Sequence, residues 1–560
     1  DFANQTNSFL NFVHLKTIAM FKRFLILSSF LFTSVIFAQT VERPKLVVGI
    51  VIDQMRYDYI YRFWDKYSSN GFKRLVNEGF FCKNTNYNYV PTYTAPGHAS
   101  IYTGTTPAVN GIIANDWFDR KVGKNIYCVT DNKVNSVGSN AEEGKRSPEN
   151  LLTTTITDEL RLATNKQSKV ISISLKDRSA VLPGGHMASA VYWFEGISGN
   201  FISSTYYMNE LPKWVNEFNK RQLAKKYLSE DWKTLLPIDE YTESIQDDYA
   251  FEKKFVGEEK PIFPHRLPDL IQKNGGFTMI RTTPFGNSFL KDFAIETMVN
   301  ENLGKSTAPD FMAISFSSTD YVGHAYGPNS IELEDTYLRL DKEIAELLDF
   351  IDAQVGKKNV LIFLTADHGA AAIPAYSQEL KIPAGYVNEN KITDTLKKYL
   401  TANYGAPLVL KYFNQQVYLD HKAIEAKKLK LDDVQNNAAK FLQSLPDVME
   451  TLTATEIAKT CFVEGSKSLM QRGYNAKRSG DILVNYLPGY GEYHATGTSH
   501  GAPFPYDTHV PLIFYGWNIS AGSTVRPVVI PDISATLAML LSIQFPSGCT
   551  GKPIEEVFRK

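Results

Sequence analysis

Six aspartate and histidine residues fall in four short motifs that could bind metal ions, with no cysteine among them. They are Asp53 in VIDQMR, Asp320 and His324 in STDYVGHAYGP, Asp367 and His368 in TADHG, and His500 in GTSHGAP. Asp320 and His324 are four residues apart, so on a helix they share one face and could reach the same ion. Mixed carboxylate and imidazole ligands are typical of zinc sites.

Each of these motifs alone is a weak signal. A single aspartate at a strand end usually caps a helix or braces a loop, and a single loop histidine usually lies at the surface. The occurrence of all four motifs in one chain, several of them directly after apolar runs, favours one joint metal site over coincidence.

Two hydroxyl groups, those of Thr92 and Thr94, lie in the segment VPTYTAPGHAS, whose prolines and glycine are typical of a turn. A threonine hydroxyl is neutral at pH 7 and needs a base or a metal to become a nucleophile. Because a bound zinc ion lowers the pKa of an oxygen ligand by many units, a threonine at a two-zinc site could attack phosphorus.

Candidate anion-binding groups lie in two further motifs. Asn115, in GIIANDWFD, could donate amide hydrogens, and Lys176 and Arg178, in SLKDRSA, provide two cations that suit a dianionic phosphate better than a monoanion. Taken alone, the pair Lys176 and Arg178 is better explained as an exposed turn with Asp177 as its internal partner.

Two other histidines have open roles. His98 could orient the loop or a metal ligand, or be a hydrogen-bonded turn residue. His494 is assigned to a structural loop.

Apolar runs recur along the chain and alternate with helical patterns. The runs are KLVVGIVID, KVISISLKD, DFMAISFSSTD, NVLIFLTADHG and HVPLIFYG. Such runs are typical of strands covered on both faces, as in a parallel sheet. A helical pattern after Asn329 and Ser330, which could cap it, supports an α/β fold. Because ligands bind beyond the carboxyl ends of such strands, Asp53, Asp320 and Asp367 should meet at one edge.

Composition sets broad limits on the class of protein. The chain has 560 residues, 43% of them hydrophobic, and a formal net charge of -1. These values are typical of a large globular protein and predict no nucleic-acid-binding surface. The four cysteines, Cys82, Cys128, Cys461 and Cys549, allow three disulfide pairings, among which the sequence does not choose. We interpret them as structural or idle.

The N-terminal region predicts secretion. Lys22 and Arg23 precede an apolar run from Phe24 to Phe37 and the small residue Ala38. This order is typical of a secretory signal peptide from Met20 to about Ala38, which predicts a periplasmic or secreted protein. No later stretch reaches the ~20 apolar residues of a spanning helix, so no transmembrane span is expected in the mature chain.

The motifs occur in the order seen in the alkaline phosphatase superfamily. DQMRYDY, PTYTAPGHASIYTG, NGIIANDWFD, STDYVGHAYGP, TADHG and TSHGAP, together with SLKDR, make the chain resemble most closely the bacterial PafA-type, phosphate-irrepressible alkaline phosphatases. These are related to the type I phosphodiesterases and nucleotide pyrophosphatases. The resemblance runs from about Lys45 to the C-terminus.

The resemblance implies a three-layer α/β/α sandwich with a mostly parallel central sheet and two inserted cap segments. The predicted segments are the upstream residues and signal peptide (1–38), core (39–185), an inserted cap (186–290), core (291–381), an inserted α+β subdomain (382–477) and core (478–560).

The resemblance also implies two zinc ions and a reaction. One ion would be held by Asp320, His324 and His500, and the other by Asp53, Asp367, His368 and the oxygen of Thr94. Thr94 would attack phosphorus in line and form a covalent phosphothreonine that is then hydrolysed. Asn115, Lys176 and Arg178 would hold the phosphoryl oxygens. The implied function is that of a zinc-dependent alkaline phosphatase, which hydrolyses small phosphate monoesters to phosphate and an alcohol.

Three other functions remain to be compared with this one. A type I phosphodiesterase shares the six ligands, the threonine and the asparagine, but generally lacks the pair Lys176 and Arg178, which therefore favours monoesters. A sulfatase needs cysteine or serine in a Cys/Ser-x-Pro-x-Arg arrangement, whereas this chain has Thr94-Ala-Pro-Gly-His98. A non-catalytic metal- or phosphate-binding protein would be expected to have lost ligands or the nucleophile.

Overall fold

The computed structural model describes residues 10, 12–20, 22, 42–492 and 495–558. Residues 43–560 form one compact unit, separate from residues 1–42. The predicted signal peptide falls largely outside the described residues and His494 falls wholly outside them, so both assignments stay predictions. None of the helices in the described part of the chain combines the length and the apolar character that crossing a membrane requires.

A ten-stranded sheet lies at the centre of the compact unit. In chain order its strands are β1 (Leu46–Ile52), β2 (Phe80–Cys82), β3 (Ser136–Val137), β4 (Val170–Ser174), β5 (Ala190–Glu195), β6 (Asn200–Ser204), β7 (Asp310–Phe316), β8 (Val360–Thr365), β9 (Leu512–Gly516) and β10 (Gly522–Thr524). Their order across the sheet is β10, β2, β9, β8, β1, β7, β4, β5, β6, β3.

The five strands in the middle of the sheet, β8, β1, β7, β4 and β5, are parallel, which confirms the predicted α/β fold class. Strand β9, which the run HVPLIFYG predicted as a member of the set, runs antiparallel to β8. All its residues except the last are buried. An apolar run indicates burial on both faces, but it carries no information about strand direction.

Helices surround the sheet, and smaller strands lie beyond it. The longest helix, Ile331–Gln354, begins where the sequence predicted, because the Ser330 side chain accepts a hydrogen bond from Leu333 N. The other helices are Tyr59–Arg62, Phe72–Glu78, Thr94–Thr103, Pro107–Asn110, Ile156–Ala163, Asp177–Gly184, Lys213–Lys220, Leu223–Tyr227, Leu267–Leu270, Phe285–Asn300, Ser318–Tyr326, Pro374–Glu379, Glu389–Tyr404, His421–Ala426, Leu431–Gln443, Ala454–Lys459, Gly465–Gly473, Pro505–Thr508 and Asp532–Leu541. The smaller strands are Thr85–Asn86, Asp116–Asp119, Lys124–Tyr127, Gly385–Tyr386, Val409–Phe413, Gln416–Leu419, Val448–Thr453, Ile482–Tyr486, Tyr490–Gly491, His509–Val510 and Val528–Val529.

The two segments predicted as insertions differ in how they relate to the sheet. The first, 186–290, supplies β5 and β6 to the central sheet itself. The second, 382–477, contributes three strands of a separate four-stranded sheet, whose fourth strand, Ile482–Tyr486, lies outside the predicted range. This smaller sheet has its own hydrophobic cluster. The predicted segment boundaries otherwise stay a prediction.

None of the four cysteines is paired among the described residues. Cys82 and Cys128 are buried, Cys549 is half-buried and Cys461 is exposed.

A buried carboxylate on the longest helix holds part of the 186–290 segment against the core. Asp335 is fully buried. It accepts hydrogen bonds from Trp232 Nε1 (2.8 Å), Leu235 N (2.6 Å), Tyr241 Oη (2.6 Å) and Arg339 Nε (2.7 Å). One side chain therefore satisfies donors from three positions of the overlying segment.

We predict that Asp335→Ala lowers the free energy of unfolding by roughly 3–5 kcal/mol, because it leaves two buried and two half-buried donors, one of them charged, without a partner. The control is Asp349→Ala on the same helix, whose side chain is 61% exposed and pairs with Arg74. Removing that exposed pair should cost less than about 1 kcal/mol. Urea unfolding measures both variants, and equal losses would contradict the role of Asp335.

Candidate active site

The predicted metal-ligand residues meet at the carboxyl ends of three neighbouring strands. Asp53 follows β1, and Asp367 and His368 follow β8. Asp320 and His324 lie one turn apart in the helix Ser318–Tyr326, which follows β7. The loop residue His500 joins them from the C-terminal part of the chain.

Two groups of side chains have ligand atoms close enough to hold an ion. The first is Asp320, His324 and His500, and the second is Asp53, Asp320 and His368. In each group all ligand atoms lie within 4.8 Å of one another. The carboxylate of Asp320 belongs to both groups, whereas the resemblance assigned it to one ion only.

Asp367 borders the second group without belonging to it. Its Oδ2 lies 3.6 Å from His368 Nε2, and its Oδ1 accepts a hydrogen bond from Gln54 N. Gly97 allows this position, because a Cβ atom there would lie 2.4 Å from the Asp367 carbonyl oxygen. Any larger residue at 97 would push the helix Thr94–Thr103 away from Asp367.

The three histidines are oriented in the same way. In each, Nδ1 lies within hydrogen-bonding distance of a backbone carbonyl: His324 with Thr498 O (2.8 Å), His368 with Gly369 O (2.9 Å) and His500 with Thr92 O (2.7 Å). A carbonyl only accepts, so Nδ1 carries the proton and the Nε2 lone pair faces the carboxylates. This is the arrangement by which metal-binding histidines are held.

The charge of the cluster also fits a bound cation. Among the described residues, the buried oxygens Asp53 Oδ1 and Asp367 Oδ2 have no hydrogen-bond donor. Burial and the neighbouring Asp320 raise the pKa of Asp53 to about 6, and burial and Asp53 raise the pKa of Asp367 well above its ordinary value. Buried carboxylates of this kind need a positive partner to remain ionised.

Thr94 is the first residue of the helix Thr94–Thr103 and is 1% exposed. Its Oγ1 lies 3.4 Å from His368 Nε2. A helix N-terminus carries a partial positive charge, which favours negative charge on this oxygen or on a group bound to it. Thr92 has a different position, because its hydroxyl donates to Ala502 O.

Asn115 is held next to this helix by one side of its amide. Its Oδ1 accepts a hydrogen bond from Ala95 N at 2.9 Å. Its Nδ2 has no hydrogen-bond partner among the described residues, so the donor side of the amide is free to bind an anion.

Lys176 lies between the carboxylates. Its Nζ is 2.7 Å from Asp53 Oδ2 and 2.5 Å from Asp320 Oδ2. Burial opposes its charge, but Asp320 and Asp53 together raise its pKa above the ordinary value. The interpretation of an exposed turn is wrong for this residue, because Lys176 is 3% exposed.

Arg178 lies near Lys176 and is held by Tyr127, whose hydroxyl is 3.2 Å from Arg178 Nη1. Its Nε is buried and has no acceptor within the described part of the chain. Asp177 does not pair with the side chain of either cation: it accepts from Arg146 Nε and from the Tyr127 hydroxyl.

The sequence did not identify two supporting residues, Gln54 and Tyr127, and it left the role of a third, His98, open. Gln54 Nε2 donates to Asp320 Oδ1 at 2.7 Å, and Tyr127 orients Arg178. His98 is within hydrogen-bonding distance of Thr94 O through Nδ1 and of Ser315 Oγ through Nε2, and burial lowers its pKa to about 3. The only sequence signal that Gln54 belongs to the site is that it directly follows Asp53. Nothing in the sequence marks Tyr127 as a residue near the site.

Comparison with known proteins gives consistent results. The family model for type I phosphodiesterase / nucleotide pyrophosphatase matches residues 47–504. The chain is 46% identical over 524 residues to alkaline phosphatase PhoV of Synechococcus elongatus, covering 94% of each chain. It is 46% identical over 532 residues to a Myroides odoratus protein named calcium-transporting ATPase, covering 94% of this chain and 97% of that protein. The crystal structure of wild-type alkaline phosphatase PafA superposes with a TM-score of 0.90 at 44% identity, covering 93% of this chain and all of that one.

The family model spans the positions of all six predicted metal-ligand residues, and the relatives cover nearly the whole compact unit. These matches confirm the resemblance to PafA-type proteins. The chain belongs to the type I phosphodiesterase / nucleotide pyrophosphatase family, among relatives that include alkaline phosphatases.

Proposed function

We propose that the protein hydrolyses phosphate monoesters, with Thr94 as the nucleophile. The observation that carries the proposal is that two buried groups reach the same ligand cluster. The hydroxyl of Thr94 lies beside His368, and the ammonium of Lys176 bonds both Asp53 and Asp320. These contacts support the assignment of Thr94 as nucleophile and of Lys176 as an anion-binding cation at one ligand cluster.

Two zinc ions would complete this site. Asp320, His324 and His500 would hold one, and Asp53, Asp367 and His368 would hold the other, with Thr94 Oγ1 as a further ligand. When bound, the ions would supply positive charge that lowers the pKa of the threonine hydroxyl and offsets the charge of the phosphate. The choice of zinc follows from the mixed nitrogen and oxygen donors and the absence of sulfur.

The chain's own residues account for the remaining steps. Thr94 Oγ1, after losing its proton to water, forms a bond to phosphorus while the bond to the ester oxygen breaks. The leaving oxygen keeps that electron pair and takes a proton from water to become the alcohol. Asn115 Nδ2, Lys176 and Arg178 donate to the non-bridging oxygens, where charge is spread in the transition state. Water then cleaves the phosphothreonine, releasing phosphate and restoring the hydroxyl.

The charge of the site favours monoesters over diesters. At alkaline pH a monoester phosphoryl group carries two negative charges and a diester carries one. Lys176 and Arg178 add two buried or half-buried positive charges beyond any bound metal. A diester would also place its second substituent where one of these cations lies.

The Myroides relative is named a calcium-transporting ATPase, which suggests ATP as a further substrate to test. The terminal phosphoryl group of ATP is attached through a single oxygen and is dianionic at alkaline pH, so the same cations could hold it. We treat release of phosphate from ATP as a reaction of this site and not as a separate function.

We predict that Thr94→Ala abolishes most of the phosphatase activity and removes the covalent intermediate, because no other hydroxyl lies beside His368 among the described residues. The measurement is mass spectrometry of acid-quenched enzyme after mixing with substrate. The matched control is Thr92→Ala, which should retain the phosphorylated peptide. A phosphopeptide that persists in Thr94→Ala would contradict the assignment.

Lys176→Ala and Arg178→Ala should reduce kcat/KM for an aryl phosphate by roughly 10²-fold or more, as for the loss of one preorganised donor to a charged transition state. The loss should be smaller for the methyl aryl diester, which has one charge fewer. Lys133→Ala serves as the control, because it removes a positive charge from a side chain that is 77% exposed and pairs with Glu149. It should leave both rates unchanged. Equal losses on both esters in the lysine and arginine variants would rule out the proposed selectivity.

Removing divalent metal with a chelator should abolish activity, and zinc should restore it, because the buried carboxylates need cations to remain ionised at their positions. Metal analysis of the purified protein should give about two ions per chain if both groups are filled. His324→Ala should lower this number by about one and leave the second group intact. Full activity after the metal has been removed would exclude the zinc mechanism.

A further inference from the structure

A cavity of about 90 Å³ opens beside the proposed active site. Its lining includes Tyr93 and His500 together with Glu389, Tyr486, Tyr490 and Glu492. The first two residues belong to the core, and the others lie in or next to the smaller four-stranded sheet. One water needs at least ~10–15 Å³ of such volume, so the cavity has room for several water-sized groups, enough for a short alcohol.

The cavity lies next to the first metal-binding group, because the two share His500. His500 belongs to the group formed with Asp320 and His324. Tyr93 directly precedes Thr94, and its ring packs edge-on against the His500 ring at 5.7 Å. In an in-line reaction the leaving oxygen lies opposite the attacking Thr94 oxygen. Thr94 lies beside His368 of the second group, so the leaving oxygen would point towards the first group. The leaving alcohol would therefore extend into this cavity.

Tyrosine rings form a large part of its wall. Tyr93, Tyr486 and Tyr490 all line it. The Tyr486 hydroxyl is fixed by the Tyr412 hydroxyl at 2.7 Å and by Glu389 Oε1 at 3.0 Å. The face of an aromatic ring attracts cations, and several rings around one small volume are the usual surroundings of an ammonium group.

The charged side chains that line the cavity are both acidic. They are Glu389 and Glu492, and neither lysine nor arginine contributes to the described lining. Glu389 is half-buried, and burial and Glu492 raise its pKa to about 7. Two acidic side chains with no lysine or arginine beside them favour a cation and disfavour a second anion in this cavity.

We propose that this cavity is the leaving-group subsite and that it selects phosphate monoesters whose alcohol carries an ammonium group, such as phosphorylated amino alcohols. The inference rests on the proposed function and adds a substrate class to it. Phosphate is held by Lys176, Arg178 and Asn115, and the ammonium is held by Glu389, Glu492 and the tyrosines.

Three substrates of similar length test the selection: phosphoethanolamine, 2-hydroxyethyl phosphate and phosphoglycolate, whose leaving groups are cationic, neutral and anionic. The quantity measured is kcat/KM for each at pH 9. For each enzyme, kcat/KM for phosphoethanolamine is divided by kcat/KM for 2-hydroxyethyl phosphate. The ratio for a variant is then divided by the ratio for the wild type, so that differences in intrinsic reactivity between the two substrates cancel.

Glu389→Gln and Glu492→Gln should each lower this ratio about threefold to tenfold and raise the relative rate for phosphoglycolate, in line with the loss of one nearby opposite charge. Glu492 is exposed, so its variant tests the subsite even where Glu389→Gln disturbs folding. The matched control is Glu425→Gln, an exposed glutamate on a helix of the same inserted segment, which should leave all three rates unchanged.

The outcomes separate the two proposals. Ratios that stay within twofold of the wild type in both glutamine variants would overturn the subsite and leave phosphomonoester hydrolysis in place. Absence of phosphate release by the wild-type enzyme from all three substrates and from an aryl phosphate would overturn the proposed function and the subsite together.

Discussion

The burial of three aspartates at one edge of a sheet is the constraint on which the site depends. Asp53, Asp320 and Asp367 follow neighbouring strands and are almost entirely removed from water. Their mutual repulsion in a low-dielectric environment is unfavourable unless positive charge lies among them. Lys176 supplies part of that charge, and the imidazole nitrogens that face the same volume are suited to hold more in the form of metal ions.

The residues around the three aspartates help to hold these buried charges in place. Backbone carbonyls fix the histidine rings, and Gln54 donates to two of the aspartates. Gly97 lets the helix that carries Thr94 approach Asp367. His98, buried and uncharged at neutral pH, ties the same helix to β7 through Ser315 without adding a charge. The groups that surround the buried charges therefore also position Thr94, the nucleophile of the proposed function.

Much of the fold and of the candidate site could be predicted from the sequence, because both depend on local signals. Apolar runs identified the central strands, and short motifs identified the side chains that meet beyond them. What the sequence could not supply depends on contacts between distant segments. The direction of β9, the membership of β5 and β6 in the central sheet and the support of Arg178 by Tyr127 are of this kind. The environment of Lys176 is another example: an exposed turn was the better explanation of its local sequence, and only the folded chain places it between two carboxylates.

The amide of Asn115 has a consequence for how this site could change. Its oxygen accepts a hydrogen bond from Ala95 N in the first turn of the helix Thr94–Thr103, while its nitrogen has no partner among the described residues. In the proposed function, one planar group therefore both supports the helix start and binds the substrate. An aspartate at this position would preserve the helix start but replace a donor by a repelling acceptor, so the same architecture would hold the phosphoryl group less tightly.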